Sequence, residues 1–196
     1  MLQRRAESRP GRQRRLAPCR RVGSLSFMGF LFNWFRSNVY IEPRTGIEFP
    51  ESVGPCKRGE TTEYEVEPGK RGVAIEYRSA DIEATVYVHA LEDEDRKTAA
   101  NCLEGSLAAV KEFEARGMYS KVKIFELAAE KEIPGWKSAA FTSSSTNHFI
   151  LSFIHCKVVS GRLVKIRATT GSPTNEVLQS FTTNLQQIVD RPAKKP

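Results

Sequence analysis

Apolar residues recur at every second position through much of the chain's first half. Val73, Ile75 and Tyr77 alternate with Ala74, Glu76 and Arg78. Ile82, Ala84, Val86, Val88 and Ala90 alternate with Glu83, Thr85, Tyr87 and His89. A period of two marks strands with one buried face and one wetter face. Glu60 to Val66 reads as a strand before these. Glu67-Pro68-Gly69 then makes the turn, because Pro presets φ and Gly accepts a positive one. Ser79-Ala80-Asp81 is the short turn between the next two strands.

The spacing then changes to three and four. Ala99, Leu103, Leu107, Val110 and Phe113 or Glu114 form the apolar stripe of a helix that opens at Glu92-Asp93-Glu94-Asp95 and runs to about Arg116. Gly117 stops it. Lys121 to Leu127 reads as a strand with Val122 and Ile124 inward, and Pro134-Gly135 as a turn. Trp136 to Thr146, Phe149 to Val159 and Leu163 to Thr170 read as three more strands, the last two joined by a hairpin at Ser160-Gly161. Ser172-Pro173 starts a final helix with the stripe Val177, Phe181, Leu185 and Ile188.

The predicted order is βββαββββα. Short turns between consecutive strands make the sheet mainly antiparallel, with about six or seven strands. The class is α+β. Each amphipathic helix can bury only one stripe, so both must pack on the sheet, on one side or on both. Any sheet surface they leave open should be the side carrying Glu83, Thr85, His89, Lys165 and Arg167. The expected organisation is an Arg-rich leader and apolar segment at 1–44, one domain at 45–190 and a basic tail at 191–196.

Charge changes this picture less than its total suggests. The chain of 196 residues carries a formal +7, but residues 1–27 hold eight arginines and one acid, Glu7. Basic and acidic residues balance over the rest. A nucleic-acid-binding domain should hold its excess on the folded part, so specific nucleic-acid binding by the domain is not expected. The leader has three readings: a targeting segment, a basic phosphate-binding arm, or residues upstream of a start at Met28, which is favoured. Gly29 to Phe35 is apolar and aromatic, suited either to packing on the domain or to weak contact with a membrane interface.

The segment Phe49 to Glu60, with Pro50, Ser52, Gly54-Pro55 and Arg58-Gly59-Glu60, followed by Tyr64-Glu65, Pro68-Gly69, Gly72-Val73 and Ala84 to Val88, resembles an uncharacterised family of bacterial proteins. Gly161 to Arg167 fits the same pattern, and the likeness covers residues 47–190. The order of elements is also similar to the PsbP-like α/β fold. The resemblance implies a fold and supplies no catalytic residues, since such folds host unrelated roles.

Cys19, Cys56, Cys102 and Cys156 contain no C-x-x-C pair, and the domain keeps an odd three. Free thiols in a reducing compartment are favoured over one bridge and a leftover thiol. A cytoplasmic location follows, with an exported or membrane-peripheral one as the alternative.

Candidate chemistry is sparse. His89, His148 and His155 form no zinc-ligand spacing. His155 and Cys156 are neighbours on a strand, so they point to opposite faces and cannot act on each other. Ser143-Ser144-Ser145 lacks a nucleophile elbow. Glu92 to Asp95 lacks calcium-loop spacing and suits a helix start instead. Pro68 to Gly72 is too short for a phosphate loop. No cofactor or metal is expected. Lys165 and Arg167 share a strand face, and with Arg162 and His89 they make the candidate surface for an anion or partner; Lys157 joins them or not according to register. A solvated sheet face is the plainer reading. The function these features support is a non-enzymatic binding or accessory module for a protein or small-molecule ligand. The alternatives are a hydrolase-like enzyme drawing Glu, His and Ser from separate strands, and a peripheral membrane protein held by Gly29 to Phe35.

Overall fold

A computed structural model describes residues 38–67, 70–91, 98–127, 133–145, 148–172 and 176–191. The leader with Cys19, Gly29 to Phe35, the Pro68-Gly69 turn, Glu92 to Asp95, Pro173 and the tail from Pro192 lie outside the described residues.

The elements are β1 (Tyr40–Ile41), β2 (Glu48–Phe49), β3 (Ser52–Val53), β4 (Cys56–Glu67), β5 (Lys70–Arg78), β6 (Ile82–Ala90), α1 (Ala99–Ala115), β7 (Ser120–Glu126), β8 (Lys137–Ser145), β9 (His148–Val159), β10 (Arg162–Thr170) and α2 (Glu176–Asp190). The class is α+β, and β4 to α2 follow the order βββαββββα. The sheet is antiparallel and has eight strands, β3-β4-β5-β6-β10-β9-β8-β7, with β1 and β2 pairing separately. The strand count exceeds the expectation because β1, β2 and β3 have two residues each, too few to leave a period.

The two helices cover opposite faces. On one face Val73, Ile75, Tyr77, Val86, Val164 and Ile166 are almost fully buried and form one core with Leu178, Phe181 and Leu185 of α2. The Tyr77 ring meets Phe181 edge-on at 6.2 Å, and its hydroxyl donates to the Pro50 carbonyl at 2.8 Å. Val177 does not join the α2 stripe; it is 55% exposed, and Leu178 is buried in its place. Leu178 precedes Phe181, Thr182 and Leu185 by three, four and seven residues, which places it on their face.

The other face meets α1 mainly at its β7–β9 end and as far as β10, with Val110 packed on Phe141, Ile154 and Cys156. Val110 is the one fully buried residue of α1, and Leu103 and Leu107 are half-buried. A fully buried aliphatic or aromatic side chain contributes roughly 1.5–3 kcal/mol, so packing holds α2 more firmly than α1. The helix is capped at both ends. Thr98 Oγ1 accepts from the Asn101 N–H at 3.1 Å, and no acid lies in the first turn. Gly117, at φ 74°, donates to Glu114 O, while Met118 donates to Phe113 O. That pair of bonds is a Schellman closure, which satisfies the last carbonyls.

The expectation of free thiols is overturned. Cys102 and Cys156 form a disulfide, and among the described cysteines Cys56 is a free, buried thiol. The reason is positional. Cys102 lies on the sheet-facing side of α1 directly above β9, with Cα–Cα 6.2 Å, inside the span a disulfide bridges. No described helix is long and apolar enough to cross a membrane.

Candidate functional site

Because α1 packs on β7, β8 and β9 and reaches only to β10, no described helix lies over β4, β5 and β6 on this face. Register decides what it presents. Lys165 pairs with Tyr87, Arg167 with Thr85 and Leu163 with His89 across β10–β6. Tyr87 pairs with Ala74 and His89 with Gly72 across β6–β5, and Tyr64 stands opposite Gly72 on β4. Directly opposed residues share a face, so Tyr64, Tyr87, His89, Lys165 and Arg167 form one surface.

The surface is packed within itself. The Tyr64 and Tyr87 rings meet edge-on with centroids 6.4 Å apart. This is possible because residue 72 is glycine: a Cβ there would lie 2.7 Å from the Tyr64 ring and 3.0 Å from His89 Cβ. The Lys165 ammonium sits over the Tyr87 ring, 4.7 Å from its centroid, a cation–π contact of roughly 0.5–2 kcal/mol. Burial pushes the Lys165 pKa down, and the neighbouring Arg167 charge adds to the effect. Burial and Tyr87 push the Tyr64 hydroxyl up. Arg167 donates to the Tyr119 hydroxyl at 2.8 Å and lies 5.8 Å from the centre of the Phe141 ring. Tyr119 follows the α1 stop and packs on Phe113 and Phe141. Both cations are therefore held by aromatic groups.

The four predicted site residues do not all meet. His89, Lys165 and Arg167 share the uncovered face. Arg162 is on the opposite face, three residues from Lys165 and in phase with Val164 and Ile166, and its Nη1 donates to the Arg71 carbonyl at 3.4 Å. Lys157 is also on that opposite face. It opposes Val164 and binds Asp190 Oδ1 of α2 at 2.5 Å. Tyr64 and Tyr119 belong to the surface but carried no sequence signal. The first needs the β4–β5 register, and the second needs the turn after α1.

A serine and a histidine do come together from separate strands. His155 Nδ1 lies 2.7 Å from Ser138 Oγ and 3.2 Å from Gln186 Nε2 of α2. Yet Ser138 is 7% exposed and His155 4%, and α2 lies over both, so the pair sits inside the core. Phe153 stacks on the His155 ring and Trp136 meets it edge-on. Burial lowers the His155 pKa to about 4, and Nε2 has no hydrogen-bond partner. Ser143 is 1% exposed and donates to Ser120 O at 3.1 Å, binding the β7 edge.

Two open grooves lie elsewhere. One, of about 510 Å³, runs between the start of α1 and the Ile133–Lys137 turn, with Lys137 as its single titratable lining residue. The other, of about 440 Å³, lies at the opposite sheet end beside Asp81, Glu83 and Phe149. Among the described residues no cluster of three or more His, Cys, Asp or Glu could hold a metal. No protein-family model matches the chain, and no curated protein matches it at a significant level.

Proposed function

We propose that this chain is a binding or accessory module that acts without catalysis and uses the uncovered half of its sheet to engage a partner protein through carboxylate groups. One observation carries the reading: no described helix lies over β4, β5 and β6 on this face, and beside them, on β10 at the margin of α1, two cations stand on aromatic supports. A rigid platform binds with little ordering cost. Cations already placed on rings and on a phenol hydroxyl are pre-organised for charge-assisted bonds to carboxylates. The likeness to the bacterial family and the PsbP-like fold is part of this reading and adds no residue roles.

The bridge between Cys102 and Cys156 extends the proposal to location. Disulfides persist in oxidising compartments, which favours the exported alternative over the cytoplasmic one. The protein isolated from its own cell without reductant should weigh two hydrogens less than after reduction.

The binding test uses a photo-crosslinking residue at Thr85, in the middle of the open surface, with the same residue at exposed Phe125 as the control. A defined adduct from position 85 that is absent at 125, and is lost when Lys165 and Arg167 are changed to Glu, is the expected result. Equal adducts at both positions, or an adduct indifferent to the charge reversal, would sink the proposal.

A further inference from the structure

Arg162, separated by register from Lys165 and Arg167, belongs to a different cluster. Arg44 and Arg162, from two separate turns, meet at the backbone of Arg71, at the corner of the sheet where β5 and β10 begin. Arg44 Nη1 and Arg162 Nη1 both donate to one oxygen, the Arg71 carbonyl, at 3.1 and 3.4 Å. Arg71 itself is in phase with Val73 and Ile75, so its side chain is on the same face as Arg162. Two guanidiniums sharing one neutral acceptor lie within a few ångströms of each other and repel. Glu65 opposes Arg71 across β4–β5, and none of the three arginines is ion-paired among the described residues.

The backbone fixes this arrangement. Arg44 is on the loop between β1 and β2, and that loop is closed by Glu42, which is 1% exposed. Glu42 Oε2 accepts from Arg44 N at 3.1 Å, Thr45 N at 2.7 Å and Thr45 Oγ1 at 2.7 Å. Glu42 N donates to Ile47 O, and Gly46 N donates back to Glu42 O, with Gly46 at φ 71°. A carboxylate is buried only where donors satisfy it. Here the donors are two backbone N–H groups and the Thr45 hydroxyl of the loop that presents Arg44. Arg162 follows Ser160 and Gly161, both at positive φ (48° and 70°), the two-residue turn that sets hairpin register firmly. The guanidiniums of Arg44 and Arg162 are thus each delivered by a constrained turn and keep N–H donors beyond the one given to Arg71 O.

We infer that Arg44, Arg71 and Arg162 form a binding site for a phosphate group, either free phosphate or a small phosphate monoester. A tetrahedral oxyanion offers enough oxygens for three planar forks. A single carboxylate, with two oxygens, is filled by one. The site is independent of the proposed partner surface, since its residues occupy the opposite sheet face.

The test is titration of the full chain with inorganic phosphate, glycerol phosphate and acetate by calorimetry, alongside the variants Arg44→Gln, Arg162→Gln and Arg162→Lys. The arginines of residues 1–27 are present in every sample, so only the change between variants reports the site. Expected are one saturable phosphate equivalent in the wild type, at least five-fold weaker binding in each Gln variant, and a loss in Arg162→Lys as well, because an ammonium cannot make the fork. Lys165→Ser with Arg167→Ser should bind phosphate like the wild type, and acetate should bind more weakly than phosphate throughout. Melting temperatures check that the variants are folded. Preference for the ester identifies a phosphorylated small molecule as the ligand; preference for inorganic phosphate identifies the free ion. Wild-type phosphate binding in both Gln variants, acetate binding equal to phosphate, or loss of binding in the Lys165/Arg167 variant would each overturn the site.

Discussion

Lowering the pH should weaken this fold through one side chain, His155. Its ring is enclosed by Phe153, Trp136, Ser138 and Gln186, and burial holds its pKa near 4 rather than 6.5. The Gln186 amide donates into Nδ1, which makes Nδ1 the acceptor and leaves the ring proton on Nε2, without a partner. The carboxylate of Asp190 is taken up by Lys157 at 2.5 Å and by the Trp136 indole N–H at 3.1 Å, not by the ring. Above pH 6.5 the ring is neutral in both folded and unfolded chains and contributes no pH dependence. Between pH 6.5 and about 4 the unfolded chain takes up a proton that the folded chain refuses, so stability falls as pH falls. At about 1.4 kcal/mol per pH unit the full loss is roughly 3 kcal/mol, a large share of the roughly 5–15 kcal/mol typical of a domain. The assay is urea unfolding, followed by Trp136 fluorescence, at several pH values from 7.5 to 4.5 in wild type and His155→Gln. Carboxylates titrate in both proteins, so the steeper fall of the wild type isolates His155. Parallel curves, or an NMR titration of the ring with a midpoint at or above 6, would refute the reasoning.

Replacing Lys165 and Arg167 together by Ser should cost roughly 1–3 kcal/mol by denaturant unfolding, the scale of the cation–π contact and the hydrogen bond lost, whereas Ile166→Asp should leave no folded protein by circular dichroism, since an unpaired buried carboxylate costs several kcal/mol. If the first unfolds and the second does not, the sheet faces are assigned backwards. Gly72→Ala should destabilise by roughly 1–3 kcal/mol through the overlap with Tyr64, and most of that cost should vanish in a Tyr64→Ala background, as a double-mutant cycle would show. Cys102→Ser should lose roughly 2–4 kcal/mol, because the bridge closes a loop across 54 positions; an unchanged urea midpoint would mean that packing alone secures α1.

The long strands were legible in the sequence because each buries one face. Ile82 to Val88 and Val164 to Ala168 show the alternation directly, and the burial follows it residue by residue. Helix phase was legible to within one residue: Val177 and Leu178 are both apolar, and the contact with the sheet selects Leu178. The cysteine pairing was not legible, since it depends on where α1 lies over β9, a tertiary fact that local spacing does not encode. The candidate surface was half legible. The parity that puts Lys165 beside Arg167 also puts Arg162 on the far face, but the partners of each cation come from β4, β5, β6 and the turn after α1, all set by register across strands distant in sequence.

The strand order has a consequence for how the domain assembles. β3 to β6 and β7 to β10 are each a meander whose neighbours are close in sequence, but the two join only where β6 pairs with β10, roughly eighty residues on. Local hairpins close quickly; a seam of that separation meets the largest loop-closure entropy and sets the pace of folding. Substitutions at Val86, Val88, Val164 and Ile166 along the seam should therefore slow refolding, while changes confined to one meander should mainly speed unfolding. Tyr87 and Lys165 face each other across this seam, so the pairing of cation and ring exists in neither half alone. A chain in which both meanders have formed but the seam has not keeps every residue of this face and lacks the contact between Lys165 and Tyr87.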